Sequence, residues 1–189
     1  IQISDDGGST WRQASPLPDV PKLSFINDVE PSQHDANTIY AIADAHKLGN
    51  YAPYLFVSND LGQTLRDMSG DLPDGTILWQ IQQDHVEPNL FFAAGEYGLY
   101  VTLNGGDNWH KLEGPTIAYR ELAVQRRDGD VVGASFGRGF LVLDDYAPLR
   151  EVASGELADY KDHLIGVRNE WRYLPYTQMT KGVEPTLGT

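Results

Sequence analysis

From Phe25 to Leu143 the apolar residues gather in short runs separated by Gly, Pro, Asp and Asn, and no stretch keeps a helical period over several turns. The runs are rich in β-branched and aromatic residues, which fit a pleated, half-buried surface. They fall into three sets. The first predicts strands over Ile26–Val29, Thr38–Ala43 and Tyr54–Val57, with a fourth beginning after Leu65. The second predicts Trp79–Gln82, Asn89–Ala94 and Leu99–Thr102, and the third Glu121–Val124, Val131–Ser135 and Phe140–Leu143. The pattern lapses at about Asp144. Pro148, Pro175 and Pro185 there predict an irregular or extended tail, with at most a helical turn near Ser154–Tyr160.

A short motif recurs at the ends of these runs. Ser4-Asp5-Asp6-Gly7-Gly8-Ser9-Thr10-Trp11, Ser58-Asn59-Asp60-Leu61-Gly62-Gln63-Thr64-Leu65 and Thr102-Leu103-Asn104-Gly105-Gly106-Asp107-Asn108-Trp109 all read Ser/Thr-x-Asp/Asn-x-Gly-x-x-Trp/Leu. Gly8, Gly62 and Gly106 are spaced by 54 and 44 residues, the length of one propeller blade per repeat. The chemistry of this box is that of a turn. Its Asp or Asn accepts backbone N–H bonds, its glycine supplies a positive φ, and its aromatic packs between neighbouring sheets. The same chemistry accounts for Asp6 and Asp60 without a catalytic or calcium-binding role.

The repeat resembles the Asp box of sialidase-type and sortilin-type β-propellers. Three longer tracts, Ala45–Leu55, Gly95–Tyr100 and Gly137–Arg150, resemble bacterial propellers known as BNR-repeat glycosyl hydrolases with sortilin-like domains. Leu65 in place of the usual Trp and Asn104 in place of the usual Asp are the two departures. The expected fold is therefore all-β: a propeller segment of four-stranded antiparallel blades with the boxes at the hairpins between third and fourth strands. Residues 1–143 should supply a partial blade, two full blades and three strands of a further one, and 144–189 a linker or extension. Both ends read as cut from a longer protein. The resemblance implies a secreted, periplasmic or cell-surface location, and implies that Gly137–Arg150 closes the propeller.

Composition narrows the chemistry. The 189 residues carry a net charge of −13 and no cysteine. An acidic chain without a basic stripe repels phosphate backbones, so nucleic acid is not an expected partner. Disulfides, thiol nucleophiles and thiolate metal sites are excluded, and no apolar run is long enough to span a bilayer. His34, His85 and His110 lack a second ligand at metal-site spacing, and Ser135 lacks a nucleophile elbow. No metal or cofactor is expected. Asp19, Asp71 and Asp74 read as turn residues, and Asp144-Asp145 as a cap or turn in preference to a calcium site.

Strand parity locates any binding face. In a four-stranded meander the boxes lie at one end of the sheets, and the loops joining second and third strands lie at the other. Those loops carry His46, Lys47, Tyr51, Glu96 and Arg138, the expected ligand-binding residues, with Asp44 to Pro53 the longest loop. Its alternative use is as a cover for the propeller mouth or a rest for the tail. Glu96 and Arg138 are also expected to pair between blades, with Arg120 a second arginine on that face. The favoured function is a non-catalytic binding or scaffold propeller for a protein or glycan partner, completed by blades of the same protein or another chain. The alternative is a glycoside hydrolase of sialidase or xyloglucanase type, with its site shared with other blades.

Overall fold

The computed structural model describes residues 1–155, 162 and 164–166. Strands β1 (Gln2–Ile3) and β2 (Arg12–Gln13) form a short hairpin around the first box. Next come β3 (Phe25–Pro31), β4 (Ile39–Asp44), β5 (Tyr54–Ser58) and β6 (Arg66–Asp67), an antiparallel four-stranded meander. A second meander follows in β7 (Leu78–Gln83), β8 (Phe91–Gly95), β9 (Gly98–Thr102) and β10 (His110–Lys111). The third sheet has three strands, β11 (Tyr119–Gln125), β12 (Asp130–Ser135) and β13 (Phe140–Leu143). These are the blades of a β-propeller segment, in the order the repeats predicted.

All three boxes make the expected turns. Ser4 Oγ donates to Asp6 at 2.8 Å, and Asp6 accepts from the Thr10 N–H at 2.9 Å and its hydroxyl at 2.7 Å. Asp60 makes the same three bonds with Ser58 and Thr64, at 2.7, 2.8 and 2.7 Å. In the third turn the Asn104 amide replaces the carboxylate. Its oxygen accepts from Thr102 at 3.0 Å and from the Asn108 N–H at 2.9 Å. The box glycine answers to packing as well as to backbone angle. Gly106 has φ +98°, and a Cβ there would lie 2.5 Å from Met68 Cγ in the preceding blade. Gly62 meets Ala14 in the corresponding way.

Blades adhere through apolar faces. Tyr40, Ile42, Leu55, Val57 and Met68 pack on Leu78, Ile81, Phe91, Tyr100 and Trp109. Each large apolar side chain buried in this way contributes about 1.5–3 kcal/mol. Leu90, Phe92, Val101, Tyr119, Leu122 and Val131 form the next interface. The box aromatic fills such a gap only in the third turn, where Trp109 is buried and its Nε1 donates to the Met68 carbonyl at 3.3 Å. Trp11 is largely exposed, since no sheet stands in front of its hairpin among the described residues.

Of the expected irregular tail, the described residues just after β13 include a helix. Ala147–Ala153 is a helix, α1, with Pro148 in its first turn, where a missing N–H costs nothing. The turn expected near Ser154–Tyr160 lies mostly outside the described residues, which here end at 155. Tyr146 enters the second interface, and its hydroxyl donates to Asp84. Arg150 grips the same carboxylate through Nε and Nη2, both at 2.8 Å. Asp84 also accepts the N–H groups of Val86 and Glu87, at 3.0 and 2.7 Å. Burial alone would raise its pKa, but these donors outweigh it and hold the carboxyl at about 2.

Candidate functional site

Each first strand of a blade carries one extra residue near its start. The pairing of β3 with β4 steps over Asn27, that of β7 with β8 over Trp79, and that of β11 with β12 over Arg120. Such a bulge re-aims the side chain out of strict alternation. All three bulges lie at the end opposite the boxes, as strand parity requires. Asn27 Nδ2 donates to the Leu78 carbonyl of the next blade at 2.8 Å. Trp79 Nε1 donates to Glu96 at 2.9 Å. The Arg120 guanidinium lies 3.5 Å over the Trp79 ring.

These residues form an open cleft of about 470 Å³ with Phe25, Ile26, Asp44, His46 and Lys47. Its polar groups are supported from behind. Asp44 is buried, and its two oxygens accept the backbone N–H and the ring Nδ1–H of His46. That fixes the proton on Nδ1 and leaves Nε2 as the remaining polar atom of the ring. The His46 ring meets Trp79 edge-on at 6.1 Å. Lys47 Nζ rests 4.6 Å over the Phe25 ring. Glu96 lies 3.4 Å from Arg120 Nη2.

The loop from Asp44 to Pro53 is ordered by its own bonds. A 3₁₀ turn spans His46–Leu48, Gly49 closes it at φ +75°, and Asn50 donates to the Tyr54 hydroxyl at 2.8 Å. His46 and Lys47 of this loop reach the cleft. Tyr51 stands in a neighbouring groove with Asp74 and Gly75, whose N–H donates to the Tyr51 carbonyl at 3.1 Å. Glu96 borders the cleft through Trp79 and Arg120, whereas Arg138 is exposed in the turn between β12 and β13. The expected Glu96–Arg138 pair is therefore corrected to Glu96–Arg120. The bulge places Arg120 beside Glu96, and the short turn carrying Arg138 leaves it facing solvent. Phe25, Ile26, Asn27 and Trp79 were not singled out from sequence, since each reads as an ordinary strand residue. Among the described residues no group of three or more His, Cys, Asp or Glu is arranged to hold a metal. None of their helices is long and apolar enough to cross a membrane.

The stacked meanders define the class, a β-propeller, and comparison with solved structures agrees. The chain is similar to an ancestral GH74 enzyme at 20% identity and a TM-score of 0.56, over 75% of this chain and 21% of that one. It resembles the Niastella koreensis GH74 enzyme at 15% identity and a TM-score of 0.51, over 64% and 21% of the two chains. It resembles YCF48 bound to D1 peptide at 20% identity and a TM-score of 0.54, over 76% and 44%. At these identities the likeness shows the fold alone. The chain spans about a fifth of the GH74 enzymes and less than half of YCF48. No family model and no curated protein matches it.

Proposed function

We propose that the chain belongs to a binding propeller of an exported bacterial protein, which takes a segment of a partner polypeptide at the cleft between the β4–β5 loop and the bulged starts of β3, β7 and β11. The observation that carries this reading is the commitment of the cleft's carboxylates. Asp44 has both oxygens on His46, and Glu96, at the border of the cleft, takes its hydrogen bond from Trp79 Nε1. A glycosidase needs two carboxyl groups flanking a sugar, one of them free to give a proton. What faces the cleft instead is an apolar wall of Phe25 and Ile26 with oriented donors, a composition suited to recognition. YCF48, one of the similar structures, is bound to a peptide, which supports this reading, and the GH74 enzymes support the hydrolase alternative.

Binding of the full chain to arrayed peptides and glycans tests the proposal. Peptide binding should weaken about tenfold in His46→Ala and Phe25→Ala. It should be unchanged in Trp11→Ala, a change at the opposite end of the sheets. Turnover of xyloglucan or a sialoside, abolished by Glu96→Gln, would establish the hydrolase instead.

A further inference from the structure

Arg120 has hydrogen-bonding capacity to spare in the cleft. Its guanidinium lies 3.5 Å over the Trp79 ring and 5.6 Å from the Phe136 ring. An arginine offers five N–H donors in a fixed fork. Its buried Nε has no hydrogen-bond partner, and its ion pair with Glu96 is a long one at 3.4 Å. Glu96 meanwhile takes its shorter bond from Trp79. With the Trp79 ring against one flat face and Nε buried, the partly exposed side chain keeps its Nη end for a ligand, two parallel N–H groups that match the two oxygens of a carboxylate.

The remaining charges around the cleft point the same way. Lys47 is the second cation, and it is held by the Phe25 ring rather than by an acid. Asp44 is closed off by His46. A chain of net charge −13 thus presents two cations, together with His46, around one apolar wall. We propose that the cleft seats a carboxylate of the bound polypeptide against the edge of Arg120, with Lys47 as second cation and an adjoining apolar side chain on Phe25 and Ile26. The inference rests on the binding reading above and adds the chemistry of the ligand. A polypeptide fits better than an acidic sugar. Sugar rings stack on free aromatic faces, and Arg120 covers a face of Trp79 while Glu96 takes its N–H.

The test uses the full chain on an array of random decapeptides, made with free and with amidated C-termini, and on oligosaccharides bearing glucuronate. Bound peptides should be enriched in Asp or Glu beside Leu, Ile or Phe, or should require the free C-terminus. The two sets of termini tell a side-chain carboxylate from a chain end. Replacing the acid by its amide should weaken binding at least tenfold, and Arg120→Lys should do the same. Lys47→Met, at an exposed position, should weaken it about threefold with an unchanged melting temperature, and added salt should weaken it further. Peptides that bind equally well as acid and amide would overturn the carboxylate and leave the binding reading intact. Binding of glucuronate oligosaccharides without any peptide would overturn the polypeptide occupant. Binding of neither would overturn both readings.

Discussion

At the scale of single residues, the box turns show how a side chain stands in for backbone. Thr10, through its N–H and then its hydroxyl, and next Ser4, hold the Asp6 carboxyl at about 2, against an ordinary 3.8. Thr64 and Ser58 do the same to Asp60. In both cases the folded value lies below the unfolded one. The contribution of these carboxylates is therefore complete above about pH 4 and is lost as the pH falls toward 2. Asn104 makes equivalent bonds with a neutral amide, so its turn carries no such dependence. Carboxyl titration by NMR should place Asp6 and Asp60 near 2. Amide protection of Thr10 and Thr64 should decline across that window, and that of Asn108 should not. A midpoint near 4 for Asp60 would show that the bonds contribute nothing. These residues were readable in the sequence because each box keeps its partners within four positions.

At the scale of elements, legibility ends where bonding leaves the local chain. The strand ends agree within a residue or two at most positions, because β-branched and aromatic runs bounded by turn residues encode them directly. The bulges are not so encoded, because Asn27, Trp79 and Arg120 are extra residues that only the pairing partner reveals. That is why the cleft was half seen: His46 and Lys47 announced themselves on a long loop, and their aromatic supports did not. Asp84 escaped notice for a related reason, since Tyr146 and Arg150 lie 62 and 66 residues downstream. It is fully buried and fastens α1 to the loop between β7 and β8. Removing one partner of a buried ion pair costs about 3–5 kcal/mol, because the other charge is stranded. Arg150→Met should thus lower stability by about that amount in denaturant unfolding. The double change Asp84→Asn with Arg150→Met, which keeps an oxygen for the Val86 and Glu87 N–H groups, should recover part of it. A double variant no more stable than the single one would show that the cluster is not a coupled pair.

At the scale of the whole molecule, the blades explain what the last sheet lacks. Ala134 pairs with Phe140 and Val132 with Val142, as Ile42 pairs with Leu55 and Tyr40 with Val57 in the first full blade. The equivalent positions differ sharply in burial. Leu55 and Val57 are 0% and 3% exposed under the following blade, whereas Phe140 and Val142 are 76% and 58% exposed. The third sheet also has no fourth strand beside β13 among the described residues, so one edge of its ladder is unpaired. A row of exposed apolar side chains beside an open edge marks an interaction surface. Its complement is already visible inside the chain, where Ile81, Phe91, Tyr100 and Trp109 of one blade cover Leu55 and Val57 of the one before. The occupant expected on Phe140 and Val142 is therefore the front of another such blade, from the same protein or a second copy. Covering each side chain would contribute about 1.5–3 kcal/mol. The chain by itself should associate with increasing concentration in sedimentation velocity runs. Phe140→Glu or Val142→Glu should reduce that association while shifting the melting temperature by no more than a few degrees, since neither side chain is buried in the chain alone. A wild-type chain that stays monomeric at its highest soluble concentration would show that this face needs no cover.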